Sequence, residues 1–179
     1  MWALVESGSI SKIYLRPKSI TIGDIKYPSN IFTVWSETEL KAIGIYIVII
    51  DNTNYKDPVY YANTEQSFTF ADDKVTATYG TATARTLADL KTGKCKQIDD
   101  EAYGLLQPND WMVIKATETS GTVASDWTTY RTGVRTAAND MKTKINAAAD
   151  VDALAALYAY NDADPSVRPL GEFPTPPTS

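Results

Sequence analysis

The chain has 179 residues, of which 44% are hydrophobic and 22% are charged, a composition typical of folded domains. Its formal net charge of −5 and its pI of about 4.7 argue against electrostatic binding to nucleic acid or anionic lipid. The single cysteine, Cys95, excludes an intramolecular disulfide, and the absence of histidine removes the commonest metal ligand and acid–base group. We therefore expect no metal, no cofactor and no nucleic-acid partner.

The sequence does not predict a membrane protein. The segment Met1–Glu6 has no basic residues and no long apolar run, so it does not resemble a signal peptide. The most apolar window, Ile43–Ile50, is far too short to span a bilayer. We expect no membrane partner, and a chain that is made and used in a cytoplasm or carried out of one inside a larger particle.

The first eighty residues carry strand and turn patterns. Turn signals at Ser7-Gly8-Ser9 and at Gly23-Asp24 predict two hairpins. The run Ile45–Ile50 is rich in β-branched residues, which predicts a strand covered on both faces. Three further short strands are predicted at residues 59–61, 66–71 and 74–79.

One short helix interrupts these strands. Ser36-Glu37-Thr38-Glu39 has the form of a capping box, in which the Ser36 hydroxyl accepts the amide of Glu39 and the Glu39 carboxylate reaches back. Gly44 is placed to end this helix in a left-handed cap.

The hydrophobic period changes to that of helices after residue 80. Apolar residues from Leu87 to Leu105 predict one helix, which Gly93 is expected to bend or split and Pro108 to stop. The segment 111–114 fits either a short helix capped by Asn109 or Asp110, or a strand. Residues 117–122 are predicted as loop, with a long helix from a Ser125 or Asp126 cap to about residue 149. Asp150 is expected to cap a last helix.

These patterns predict an α+β protein with an antiparallel β-rich N-terminal unit and a C-terminal helical unit that contains a long helix. The predicted boundaries are a β-rich domain at residues 1–80, a helical domain at 81–163 and an extended, poorly ordered, proline-rich tail at 164–179.

Catalytic patterns are not found in the sequence. Carboxylates occur together at Asp72-Asp73, at Asp99-Asp100-Glu101 and at Asp162 with Asp164, beside turns or on polar helix faces, where a solvated surface is the expected role. The acidic segment 51–57 lacks the twelve-residue loop of a strong calcium site. The sequence therefore predicts a protein that is not an enzyme.

Aromatic and arginine residues near the start of the long helix are the candidates for partner binding: Trp111, Trp127, Tyr130, Arg131 and Arg135. Trp127 and Tyr130 fit either core packing or an interface. Arg131 and Arg135, four residues apart on a helix, are either solvated charges or groups that reach carboxylates of the β-rich unit or of a partner. The heptad spacing of this helix permits homo-oligomerisation, although its alanine-rich seam is weak.

Three segments carry a resemblance to a known family. They read Leu105-Leu106-x-Pro108-x-Asp110-Trp111, then Asp126-Trp127-x-x-Tyr130-Arg131-x-x-Val134-Arg135, and finally Phe173-Pro174-Thr175-Pro176-Pro177. This pattern resembles the signature of tailed-bacteriophage tail assembly chaperones and tail fibre assembly proteins, with Phe173 where the family's tail has tryptophan. The step Ser36–Tyr46 is similar to a helix-to-glycine step in the N-terminal part of such proteins.

The resemblance implies a bacteriophage tail protein that binds tail or tail-fibre polypeptides during assembly in the host cytoplasm, with no catalytic residues. The β-rich first eighty residues are larger than a bare chaperone needs. A structural virion subunit or adaptor at the tail or fibre attachment point is therefore the rival hypothesis.

Overall fold

The computed structural model describes residues 1–163 and 165–178, so that Asp164, where the predicted tail begins, and Ser179 lie outside the described residues. The chain divides into two compact units, Met1–Thr83 and Ala84–Ser179, which we call the β unit and the helical unit. The first is rich in strands and the second consists of helices and a tail. The predicted α+β class, with the β-rich unit first, is confirmed.

Nine strands and six α-helices form these units within the part of the chain that the structure describes. The strands are β1 Trp2–Glu6, β2 Ser9–Tyr14, β3 Ile20–Ile22, β4 Ile25–Tyr27, β5 Ile45–Asp51, β6 Tyr61–Ala62, β7 Gln66–Ala71, β8 Lys74–Tyr79 and β9 Thr83–Ala84. The helices are α1 Ile31–Val34, α2 Glu37–Ala42, α3 Leu87–Leu106, α4 Asp110–Glu118, α5 Ser125–Ala147 and α6 Val151–Ala156, with a 3₁₀ turn at Gln107–Asn109 between α3 and α4.

The main sheet of the β unit has five strands in the order β2-β1-β5-β8-β7. Its pairs are antiparallel except one, because β5 runs parallel to β8, with Val48 beside Val75. The sheet is therefore mixed where the sequence predicts antiparallel pairing throughout. Both predicted hairpins form, β1 with β2 and β3 with β4, because their turns are encoded by neighbouring residues. The β5–β8 pair joins distant segments and has no local signal.

Hydrophobic clusters lie on both faces of this sheet. One face is covered near Leu4 and Ile45 by residues of α1, α2 and the β3–β4 hairpin. The other face holds Ala3, Val48, Val75 and Ala77, with phenylalanines of β7 packed against them. Beyond Ile45 the first face is open at Ile47 and Ile49, and Ile50 is exposed on the other face at the end of β5. The prediction that β5 is covered on both faces is therefore wrong for these three isoleucines.

Helix α2 begins and ends as the sequence predicts. The Ser36 hydroxyl accepts the Glu39 amide at 3.3 Å, and the Glu39 carboxylate accepts the Ser36 amide at 2.7 Å. Gly44 follows with a φ of +80°, and a β-carbon there would lie 2.7 Å from the carbonyl oxygen of Val5. The left-handed turn and the close approach to β1 both require glycine.

The helical unit is built on the α3–α5 pair. Its buried residues include Ile98 and Ala102 of α3, and Val134, Met141 and Ile145 of α5. Helix α3 runs through Gly93 as one element, so the expected split does not occur. The side chain of Asp150 caps α6 by accepting the amide of Ala153 at 2.7 Å, as predicted.

The start of α5 and the end of α4 differ from expectation. The residue before α5 is Ala124, and no side chain caps this end, so neither Ser125 nor Asp126 serves as the cap. For residues 111–114 the sequence fits either a short helix or a strand. The helix forms, as α4, and it extends into the predicted loop as far as Glu118.

The described part of the tail forms no helix or strand, yet it is docked on the helical unit. Leu170 is buried, and its amide donates to the carbonyl of Leu157 at 2.9 Å. The Lys144 ammonium group donates to the carbonyls of Pro169 at 2.8 Å and Leu170 at 3.1 Å. The expectation of a poorly ordered tail does not fit these contacts, because one leucine and one lysine anchor it.

Candidate protein-binding site

Arg131 lies inside the helical unit and joins three segments. Only 7% of the residue is exposed, and its guanidinium group donates to the carbonyl of Leu106 at 3.0 Å and to the carboxylate of Asp110 at 2.6 Å. It also donates to the side-chain oxygen of Asn109. Because these acceptors lie at the end of α3, in the 3₁₀ turn and at the start of α4, one buried arginine of α5 fixes the entry of α4.

Asn109 completes this buried polar cluster. It is itself buried, and its amide group donates to the carbonyl of Leu105 at 3.1 Å. Its oxygen accepts from Arg131. Both ends of the Asn109 amide are therefore satisfied, as burial of a polar side chain requires.

Trp111 follows Asp110 and points to solvent. It is 55% exposed, and Val113 and Ile114 beside it on α4 are also exposed. The Lys115 ammonium group lies 5.9 Å from the centroid of the Trp111 ring, within cation–π range. We call Trp111, Val113 and Ile114 the α4 surface. Trp111 and Ile114 are three residues apart and lie on one side of α4, whereas Val113, two residues from Trp111, points in a different direction.

A groove joins Trp111 to Trp127. Its volume is about 280 Å³, and its lining comes from α4, the connection to α5 and the first turn of α5. The lining residues are Trp111, Met112, Lys115, Ala116, Thr119, Gly121, Thr122, Val123, Ala124 and Trp127. The Trp127 ring packs edge-on against Tyr130 at 5.8 Å between centroids, and Tyr130 is buried. One wall of the groove is therefore the exposed Trp111, and the other is Trp127, which packs against the buried Tyr130.

The structure gives the five predicted site residues different positions. Trp111 and Trp127 line the same groove, and Tyr130 supports it from the core. Arg131 has its guanidinium group engaged by acceptors of its own unit, so its role here is to position α4 rather than to offer a free charge. Arg135 is exposed and donates to the carbonyl of Arg131 at 3.3 Å.

Two contributors were not found from the sequence. Asn109 looked like a helix cap, and its burial depends on Arg131, which lies 22 residues away. Ile114 was one of the residues that fitted a strand as well as a helix. Ile114 is exposed because it lies on the short helix α4, which Arg131 holds in place. The residues next to Ile114 in the sequence do not indicate this contact.

Asp73 and Asp99, which lie outside the groove, are each engaged by a lysine. Asp73 accepts from Lys41 at 3.0 Å and from the Tyr46 hydroxyl at 2.9 Å, and Lys142 lies 2.6 Å from Asp99. These bonds to Lys41 and then to Tyr46 hold the pKa of the Asp73 carboxyl below its ordinary value. Among residues 1–163 and 165–178, no group of three His, Cys, Asp or Glu side chains is arranged to hold a metal ion.

Cys95 is partly exposed, and its sulfur lies 3.9 Å from the side-chain oxygen of Asn146. None of the described helices is both long enough and apolar enough to cross a membrane. Comparison of the chain with protein-family models, with curated proteins and with solved structures finds no match.

Proposed function

We propose that this protein is a non-enzymatic bacteriophage tail protein that binds tail or tail-fibre polypeptides during assembly, in the host cytoplasm. The observation that carries the proposal is the exposed Trp111 of the α4 surface, which lines a groove together with Trp127. The resemblance of the segments around these two tryptophans to tail assembly chaperones supports the class of partner.

The size of the groove favours a protein side chain as its occupant. Small-molecule sites usually enclose about 300–1,000 Å³ and bury most of their ligand, whereas this groove measures about 280 Å³ and is open. A leucine or an aromatic side chain of a partner fits such a volume. Its lining of Met112, Ala116 and Val123 between the two indoles is apolar, which suits that occupant.

The anchoring of α4 favours binding to a prepared surface. Because Arg131 fixes Asp110 and Asn109, the neighbouring Trp111 is presented from a helix that is already placed. Surfaces ordered before binding lose less conformational entropy when the partner docks, and exposed tryptophans are frequent hot spots. The site therefore has both a large contact residue and a rigid support.

The test is capture of tail and tail-fibre polypeptides encoded by the same phage, co-expressed with the tagged chain. Trp111→Ala is expected to weaken capture by about 2 kcal/mol, roughly thirtyfold in affinity, because truncation of a hot-spot tryptophan has effects of this order. Leu15→Ala is the matched control, since Leu15 is exposed but belongs to the β unit. Equal capture by both variants and the unaltered chain would contradict the proposal.

The well-formed β unit favours a second candidate, a structural subunit or adaptor at the tail or fibre attachment point. Its five-stranded sheet with a hydrophobic cluster on each face is more than a short docking helix needs. Mass spectrometry of purified particles separates the two functions. An assembly chaperone is expected to be missing from mature virions, whereas a resident subunit appears at constant stoichiometry.

A further inference from the structure

Strand β5 presents two isoleucines to solvent on one face of the sheet. Ile47 is 45% exposed and Ile49 is 50% exposed, whereas Val48 between them is buried in the cluster on the opposite face. Residues two apart on a strand lie on the same side. The two isoleucines are therefore neighbours on the part of the face that the helices and the β3–β4 hairpin leave open.

The strand register extends this open face across three strands. Ile49 lies beside Thr76 of β8 in the parallel pair, and Thr76 lies beside Thr69 of β7. One step further along, Thr78 pairs with Ser67. Side chains at paired positions share a face, so the outer face includes six uncharged residues of these strands: Ile47, Ile49, Ser67, Thr69, Thr76 and Thr78.

Charges stand only at the two ends of the outer face. Lys74 precedes Thr76 by two residues and lies on the same side at one end, next to the β7–β8 turn. Asp51, paired with Thr78, lies at the other end. Across residues 1–163 and 165–178 no ion pair engages Lys74. The face thus has an uncharged centre with a free cation at one end and an anion at the other.

This distribution of charge is complementary to itself. A twofold axis lying between two such faces and running across their strands brings the Lys74 end of one copy opposite the Asp51 end of the other. Closed twofold contacts require this kind of self-complementary patch. A face of one sign, or one with charges at its centre, would be repelled by its own copy.

We propose that the outer face binds a second copy of this chain, giving a twofold dimer in which two β units pack sheet against sheet. Such packing brings the β-branched side chains of the two outer faces into contact, with the sheets about 10 Å apart. Contact buries both pairs of exposed isoleucines and sets Lys74 of each copy near Asp51 of the other. Because the uncharged centre is small, the association is reversible and depends on concentration.

Sedimentation velocity over a range of concentrations tests the dimer with the full chain. Ile49→Lys is expected to give a monomer wherever the unaltered chain is a dimer, because two ammonium groups would be buried at the contact. Ile49→Thr matches the threonines around it and keeps the strand, and it is expected to weaken association with the circular dichroism unchanged. Ile25→Lys is the control, since Ile25 is an exposed isoleucine of the β3–β4 hairpin.

The end charges provide an independent test. Lys74→Glu is expected to raise the dimer dissociation constant about tenfold, because each Glu would face Asp51 of the other copy and two such pairs change sign. Adding Asp51→Asn to this variant removes the repulsion while leaving a side-chain oxygen for the Thr53 hydroxyl and amide that Asp51 now accepts. Partial recovery of the dimer is therefore expected.

Two outcomes would overturn the proposal: a chain that stays monomeric at its highest soluble concentration, and a dimer that Ile49→Lys leaves intact. If the chain is monomeric and its capture of tail polypeptides falls on Ile49→Lys, the outer face binds a different partner. Trp111→Ala is expected to leave the dimer unchanged, so failure of this proposal and failure of the proposed function are distinguishable.

Discussion

In the β unit, the turn after α2 is set by backbone geometry at one residue, whereas in the helical unit α4 and the tail are held by long side chains that reach distant carbonyls. Gly44 turns the chain with a φ of +80° against β1. Arg131 and Lys144 instead hold Leu106 and Leu170, which lie 25 and 26 residues away along the chain. The first kind of contact is specified by adjacent residues, and the second depends on a fold that is already formed.

Because of this difference, the two units are expected to be sensitive to different kinds of substitution. A turn that only glycine can adopt tolerates no side chain, so the β unit is expected to respond most to backbone strain. A segment held by side-chain hydrogen bonds can detach while the rest stays folded, so the helical unit is expected to respond through local release of α4 or the tail. Substitutions in each unit test this difference.

The largest effect is expected at Gly44. Gly44→Ala combines a left-handed backbone with a β-carbon 2.7 Å from the Val5 carbonyl oxygen, and it is expected to destabilise the β unit by about 3 kcal/mol. Gly93→Ala is the control of opposite sign: a β-carbon there meets nothing within 4 Å inside α3. It is expected to stabilise the helical unit by about 0.5–1 kcal/mol. Thermal unfolding followed by circular dichroism measures both, and equal effects would contradict the comparison.

Arg131→Met is expected to have the next largest effect. It removes the donors to Leu106, Asn109 and Asp110, with an expected destabilisation of about 2 kcal/mol. The effect is smaller than for a fully buried ion pair because the Asp110 side chain is about half exposed and stays hydrated.

Arg135→Met is the matched control for Arg131→Met, since Arg135 is an exposed arginine on the same helix. It is expected to change stability by less than about 0.5 kcal/mol. Denaturant unfolding gives the comparison, and hydrogen exchange of the α4 amides reports whether α4 is released. Similar losses from both variants would show that the buried contacts of Arg131 do not hold α4.

A smaller and more local effect is expected at Leu170. Leu170→Ala removes the buried side chain that anchors the tail, and it is expected to favour detachment of the tail by about 1.5 kcal/mol, because the unit can lose this segment without unfolding. Hydrogen exchange of the amides at residues 170 and 171 is expected to accelerate roughly tenfold. The exposed Val167, changed to alanine, is the control; acceleration by both would mean that Leu170 is not the anchor.

The sequence predicts the β unit best where the signal is local. The capping box at Ser36, the cap at Gly44 and both hairpins are confirmed because the residues that form them are neighbours. The parallel β5–β8 pair is not predictable this way, since nothing near Val48 specifies Val75 as its partner. For the same reason, the sequence predicts that Ile49 is covered, whereas its side chain is exposed.

The candidate site shows the same limit. Trp111 and Trp127 stand out in the sequence as aromatic residues after aspartates, and the fold brings them into one groove. That Arg131 lies inside and binds Asp110 could not be predicted, because helix periodicity gives the face of a residue but not which acceptors its side chain meets. The docked tail is a similar case, since proline-rich composition carries no information about the single leucine that buries itself.

The smallest effect is expected at the ion pair of Asp73 with Lys41, where the turn of the β7–β8 hairpin meets α2. Lys41 and then Tyr46 lower the pKa of the Asp73 carboxyl from its ordinary value of 3.8, and Asp73 raises the pKa of the Lys41 ammonium group. Because the carboxyl pKa is lowered in the folded state, the stabilisation of the fold by the Asp73 charge is present above pH 3.8 and is lost as the pH falls through the folded-state pKa.

Asp73→Asn keeps an acceptor for Tyr46 and tolerates the φ of +57°. The melting temperature of this variant is therefore expected to lie slightly below that of the unaltered chain at neutral pH and to converge with it in acid. A difference that persists in acid would mean that the geometry of the turn, rather than the charge of Asp73, stabilises this corner, which would make it another instance of the backbone control seen at Gly44.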